Sequence, residues 1–318
     1  MTLNHSFSYQ QMTRTSKQRG RDVHGILLLD KPAGATSNQV LQQVKRLYQA
    51  RKAGHTGSLD KLASGLLPLC LGAATKLSGY LLDADKTYEA TCALGVTTTT
   101  GDAAGEIVDT KPVPEISRLE LERVLERFRG EIQQTPPMYS ALKHEGQRLY
   151  KLAYAGITVE REPRTVTIHE LTPGRCSSGE LEIRVRCSKG TYIRTLAEDI
   201  GRELGCGAHL KALRRVGAGP FTASQMVDMT EIERLAQIGT AALDEKLLPM
   251  DYVLGNVPAV HLSESMAFYM RQGQAITVPR APAQGLVRLY DQRDMFLGVG
   301  TILDDGRVGP KRLLLATH

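Results

Sequence analysis

Leu181-Glu182-Ile183-Arg184-Val185-Arg186-Cys187 alternates without a break. Leu181, Ile183, Val185 and Cys187 point one way and Glu182, Arg184 and Arg186 the other, the period-two signature of a strand with one buried side. Thr165–Leu171 upstream reads as a strand with equal clarity. Earlier still, Tyr88, Ala90, Cys92 and Leu94 alternate with Glu89, Thr91 and Ala93, which puts Tyr88 on the apolar face of another strand. Gly25–Asp30 is a short apolar run that suits a buried strand and ends at Lys31-Pro32-Ala33-Gly34. Leu66–Leu82, broken by Gly72 and Gly79, reads as a strand followed by a short helix. Single helices interrupt these strands. Ser37 opens one whose apolar face holds Val40, Leu41, Val44, Leu47 and Tyr48. Leu121, Val124, Leu125 and Phe128 mark another, with Gly130 just past its end. Leu196, Ile200 and Leu204 recur every fourth residue in a third, which Gly205 stops. Strands and helices in this order lack regular βαβ alternation. They predict an α+β fold with a mixed, largely antiparallel central sheet flanked by helices.

The ends of the chain read differently. Residues 1–22 are polar and carry Arg14, Lys17, Arg19 and Arg21, the composition of a flexible basic tail. Residues 23–252 form the main domain. Val253–Pro258 reads as a linker, and 253–318 as a small second domain. Within it, short strands near Ala275–Val278, Gly285–Tyr290, Met295–Val299 and Val308–Leu315, with turns such as Asp304-Asp305-Gly306, predict a small β-barrel.

The 318 residues suffice for one large domain and one small one. The formal charge of +6 favours an anionic partner such as nucleic acid. No window is apolar enough to span a bilayer, and the N-terminus lacks the apolar core of a signal peptide, so a cytoplasmic protein with no membrane partner is expected. Five cysteines without a C-x-x-C pair argue against a disulfide framework and a zinc site, and the eight histidines lack metal-ligand spacing. Tryptophan is absent, which leaves tyrosine as the stacking side chain. Gly72-Ala73-Ala74-Thr75-Lys76 lacks the spacing of a P-loop.

The chemistry concentrates in Gly54-His55-Thr56-Gly57-Ser58-Leu59-Asp60, followed by Lys61-Leu62-Ala63-Ser64-Gly65. Its glycines let the backbone approach another molecule closely. A carboxylate on such a loop can be a nucleophile, a general base or a metal ligand, and Asp60 can equally cap a helix that follows. The segment 136–164 is rich in Lys143, Arg148, Lys151, Arg161 and Arg164 and reads as a solvated insertion. Lys211, Arg214 and Arg215 form a second basic cluster suited to phosphate.

Five blocks in order carry a resemblance. They are Gly25–Pro32 with Gly34, Thr36 and Ser37; Gly54–Pro68; Lys86-Thr87-Tyr88-Glu89-Ala90; Pro136–Lys143; and Ser188-Lys189-Gly190-Thr191-Tyr192-Ile193-Arg194-Thr195-Leu196. Together they resemble the tRNA pseudouridine synthases of the TruB type, isomerases that convert uridine 55 in the T loop of tRNA. The resemblance implies the pseudouridine synthase fold with an abbreviated PUA-like RNA-binding domain at the C-terminus, and it makes 136–164 an RNA-gripping thumb. It implies Asp60 as the essential carboxylate, acting on the base or on the ribose. Arg194 would be its partner, and Tyr88 would stack on the flipped uracil or accept a proton. His55, Tyr192, Leu213, Lys189, Lys143 and Tyr139 would bind the RNA, with Tyr150 nearby. The reaction has no redox step and no phosphate donor, so no cofactor and no metal is demanded. The partner would be the T-arm stem-loop of tRNA, bound by a monomer without a protein partner. Two readings compete with it: a guide-dependent pseudouridylase subunit and a tRNA-folding chaperone without catalysis. Lys61 stands where most relatives carry proline, and the Thr97–Asp102 run is poorer in aspartate than usual.

Overall fold

The computed structural model describes residues 20–177 and 179–314. Most of the basic tail therefore lies outside the described residues, as does Leu315 at the end of the last expected strand. Arg21, counted with that tail, is anchored: its guanidinium grips both carboxylate oxygens of Asp244 at 2.7 and 3.0 Å.

Among the described residues, a ten-stranded mixed sheet forms the main body. Its principal path runs Val227–Asp228, Gly25–Lys31, Ser64–Leu71, Ala208–Ala218, Lys86–Leu94, Glu180–Cys187, Arg164–Ser177 and Gly130–Gln134. Two neighbouring pairs on this path are parallel, Gly25–Lys31 with Val227–Asp228 and Ser64–Leu71 with Ala208–Ala218; the others are antiparallel. Period-two alternation sends Leu27, Leu29, Leu67, Leu69, Ala90, Cys92 and Val185 to one face. Helices Ser37–Leu47 and Ile193–Glu203 cover it with Val40, Val44, Leu196 and Ile200. Thr36, rather than Ser37, caps the first of these helices: its hydroxyl accepts from Gln39 N–H in a capping box.

The opposite face carries Ile26, Leu28, Leu66 and Phe221, and Val253, Leu254, Val299 and Leu314 pack on them. Met250–Leu254 is a short 3-10 turn with Val253 and Leu254 buried, although the sequence pattern there suggested a linker. The C-terminal strands Ala259–His261, Leu286–Tyr290, Phe296–Ile302 and Val308–Leu313 make an open four-stranded sheet in place of the closed barrel expected. Closure fails at the 275–278 segment, where, among the described residues, only Ile276 bridges to Val308. Pro279 and Pro282 follow at once, and proline has no N–H to continue a ladder. No described helix is long and apolar enough to cross a membrane.

Candidate active site

Strands Ala53–His55 and Ser64–Leu71 pair antiparallel, with His55 opposite Leu69, so residues 56–63 form the connection between them. A strand follows Asp60, which removes the helix-capping alternative. Three tethers shape the loop. Thr56 N–H donates to Pro68 O at 3.1 Å. Buried Ser37 Oγ accepts from Leu59 N–H at 2.8 Å and donates to Leu59 O at 3.1 Å. Gly34 N–H donates to Lys61 O at 2.7 Å. The Lys31–Ser37 turn thus serves as the brace of the loop, and Asp60 projects from its tip with 47% of its side chain exposed.

Arg194 meets that carboxylate. Its Nε lies 2.9 Å from Asp60 Oδ2 and 3.8 Å from Asp102 Oδ2, while Nη1 donates to Thr100 O at 3.0 Å and Nη2 to Tyr139 O at 2.8 Å. The guanidinium is 5% exposed, so these acceptors must replace the water it has lost. Asp102 is itself fixed, since its Oδ1 accepts from Thr100 Oγ1 at 2.6 Å and from Ala104 N–H at 3.0 Å. Glu198 packs against Gly101 behind this network. Burial, with Asp199 and Asp102 adding to it, raises its carboxyl above the usual range.

Tyr88 stands in register between Val185 and Arg215 on the apolar face of the sheet. Burial pushes its phenol above the ordinary value, and the Arg215 guanidinium opposes that shift. Arg215 is 1% exposed, so it is not the phosphate contact that its position in a basic cluster suggested. Its Nε donates to Leu66 O at 2.7 Å and Nη2 to Gly57 O at 3.2 Å, tying the Asp60 loop to the strand beside Tyr88. Gly65 permits the approach, because a Cβ there would stand 2.3 Å from Arg215 O. The rest of that cluster is also paired: Arg214 is bidentate to Asp30, and Lys211 pairs with Glu180.

Other expected residues distribute unevenly. His55 is half-buried, its Nδ1 has no partner among the described residues, and burial together with Arg215 lowers its pKa toward the neutral imidazole. Leu213 is buried opposite Ala90. Tyr192 caps the Arg194 helix, and burial raises its phenol. Tyr139 reaches Arg194 through its carbonyl, while its ring meets Tyr154 edge-on at 5.5 Å. Lys143 is exposed in the small hairpin of the 136–164 insertion. Lys189 is exposed and paired with Asp83 at 2.7 Å.

Three contributors escaped the sequence reading. Lys31 is fully buried; its Nζ donates to Pro32 O and Ala35 O, and burial lowers it to about 8. In the sequence Ser37 reads as a helix start and as part of the block that opens at Gly25, with no link to the Asp60 loop, and Gln134 gives no signal beyond its place before Pro136-Pro137.

Residues 45–193 match the TruB family pseudouridylate synthase (N terminal domain), 194–255 the tRNA pseudouridylate synthase B C-terminal domain, and 258–314 the pseudouridine synthase II TruB C-terminal. A protein of Nitrosococcus oceani called tRNA pseudouridine synthase B is 57% identical over 305 residues, 96% of this chain and 99% of the relative. One of the same name from Coxiella burnetii is 54% identical, covering 92% of this chain and 96% of its own length. Among solved structures, a chain of a Cbf5-Nop10-Gar1 complex aligns with a TM-score of 0.71 at 26% identity, over 91% of this chain and 84% of its own. With these matches spanning nearly its whole length, the chain belongs to the TruB family of pseudouridine synthases.

Proposed function

We propose that this protein is a free-standing, monomeric, cytoplasmic tRNA pseudouridine synthase that isomerises uridine 55 of the T loop. One observation carries the reading at the site: a carboxylate on a braced glycine loop, open to the outside, bonded at 2.9 Å to a buried arginine. The names of the most similar relatives supply the substrate class. The reaction breaks the N1–C1′ bond, turns the uracil and forms C5–C1′; N1 gains a proton and C5 loses its own to solvent.

A paired uridine is out of reach, so the nucleotide must leave the loop stack first. Asp60 then acts on it, by adding to the nucleotide or by taking a ribose proton. Arg194 holds that carboxylate in one geometry, because its planar fork is fixed at the same time by the Thr100 and Tyr139 carbonyls. Tyr88 presents a ring and a hydroxyl to the flipped base. The neutral form favoured at His55 suits stacking or hydrogen bonding within the opened loop rather than phosphate pairing. Lys143 and Lys151 on the insertion suit contacts to the RNA backbone, which position without reading sequence.

The test is tritium release from a transcript of tRNA labelled at uridine C5, with no guide RNA or added protein. Wild type should release tritium. Asp60→Asn should bind the tRNA as wild type does and release none. Binding without release by both proteins would favour the chaperone or the guide-dependent reading instead.

A further inference from the structure

Gln134 ends the strand Gly130–Gln134 and faces Arg164 in register, so the two residues form the feet of the 136–164 insertion. It is 2% exposed, and a side-chain amide so buried needs partners for both its halves. It has them on a single residue. Nε2 donates to Tyr192 O at 3.0 Å, and Oε1 accepts from Tyr192 N–H at 2.7 Å. Only one orientation of the amide makes both bonds, so the pair is geometrically selective.

Tyr192 is the cap residue of helix Ile193–Glu203, and its own side chain makes no capping hydrogen bond. Arg194 sits in the first turn. On the far side, Arg194 Nη2 donates to Tyr139 O, a few residues beyond Gln134. Segment 134–139 and segment 192–194 are therefore joined twice, once by the Gln134 amide on the Tyr192 backbone and once by the Arg194 guanidinium on the Tyr139 carbonyl.

We propose that Gln134 is a positioning residue: its amide seats the Arg194 helix against the foot of the insertion and so fixes the Asp60–Arg194 geometry. The proposal rests on the roles given to Asp60 and Arg194 above. A displacement of about 1 Å at a reacting group is enough for a large rate loss, and the seat acts on the arginine rather than on the RNA. The loss should therefore fall on kcat.

The experiment uses the full chain in the tritium-release assay, with wild type and Asp60→Asn alongside. Gln134→Leu should lower kcat roughly tenfold or more and leave KM for tRNA within about twofold. Combined with Arg194→Lys, its loss should be much less than the product of the two single losses, as expected for residues acting as a unit. Gln134→Glu gives a second test that keeps the shape of the side chain. A protonated carboxyl can donate to Tyr192 O and accept from Tyr192 N–H as the amide does, whereas the ionised form repels the carbonyl. Burial raises the pKa of such a group, and Arg164, opposite it in register, and Arg194, in the first turn of the adjoining helix, oppose that shift. The ratio of Gln134→Glu to wild-type kcat should accordingly approach one at acidic pH and fall as pH rises.

If Gln134→Leu does not fold, the pH course of Gln134→Glu decides. A pH-independent ratio, a kcat equal to wild type, or losses that multiply fully with Arg194→Lys would overturn the proposal. An inactive wild type would instead overturn the functional reading on which it rests.

Discussion

Two buried cations lie close to one half-exposed carboxylate, and they are compensated unequally. Arg194 has Asp60, Asp102 and two carbonyls around it. Lys31 has two carbonyls and only the more distant attraction of Asp60, opposed by Arg215, and burial dominates: its pKa falls from 10.5 to about 8. This has a stability consequence with a definite sign. Below about pH 8 the lysine is charged in both folded and unfolded chains, and the folded state bears the desolvation. As pH rises through that value the folded lysine gives up its proton, while the unfolded one keeps it up to about 10.5. The unfolded chain then binds more protons, so this residue makes stability increase with pH across the window. The whole gain amounts to about 3 kcal/mol at most. Urea unfolding of wild type and Lys31→Met at both ends of the window isolates it, since other titrations cancel in the difference. The difference should move in favour of wild type as pH rises; a constant difference would show that Lys31 Nζ is not desolvated.

At the scale of elements, the Asp60 loop owes its shape to a helix start. Ser37 satisfies both backbone groups of Leu59, and Gly34 N–H holds Lys61 O. Lys61 lacks the fixed φ that proline would bring, and these external tethers supply a restraint of another kind. Ser37→Ala leaves the Leu59 N–H and carbonyl without their partner, at a cost of about 2 kcal/mol. Because the same bonds aim Asp60, kcat should fall several-fold while KM stays near wild type, read by denaturation and by tritium release. An unchanged kcat would assign the aiming to the remaining tethers: Gly34 N–H on Lys61 O, Thr56 N–H on Pro68 O and Arg215 on Gly57 O. The element bounds show what the sequence could reveal. Strand Glu180–Cys187 was legible because its alternation is unbroken, and helix Ile193–Glu203 because one face carries all its apolar residues. Strand Ala208–Ala218, inside the sheet, is not legible as a strand in the sequence, where the segment reads only for its basic cluster and, through the resemblance, for Leu213. Bulges between Leu210 and Ala212 and between Arg215 and Gly217 break its period, and two successive arginines there face different environments. Asp60, Arg194 and Tyr88 could be named from motif resemblance. The partners that hold them, Gln134, Ser37 and the carbonyls of Thr100 and Tyr139, could not, because backbone bonds and buried amides leave no periodic trace.

At the scale of the molecule, the main sheet is apolar on both faces over part of its width. Helices cover one face, and the C-terminal sheet with its approach segment covers the other. Val253, Leu254, Val299 and Leu314 meet Ile26, Leu28, Leu66 and Phe221 in one cluster, so the junction is a core and not a tether. Strand Gly25–Lys31 supplies side chains to both clusters, and its last residues adjoin the brace of the Asp60 loop. Loss of the C-terminal sheet would therefore expose Ile26, Leu28 and Phe221 and loosen the strand that leads into the site. Two outcomes are expected. The full chain should unfold in a single transition when followed by far-ultraviolet dichroism and by tyrosine fluorescence, because a shared apolar cluster couples the two sheets. Truncation after residue 252 should lower the melting temperature steeply and reduce solubility, as an exposed apolar patch of this kind promotes association. Two separate transitions in the full chain, with a soluble and equally stable truncated form, would mean that the cluster does not couple the sheets. The C-terminal sheet would then be free to move independently of the main one.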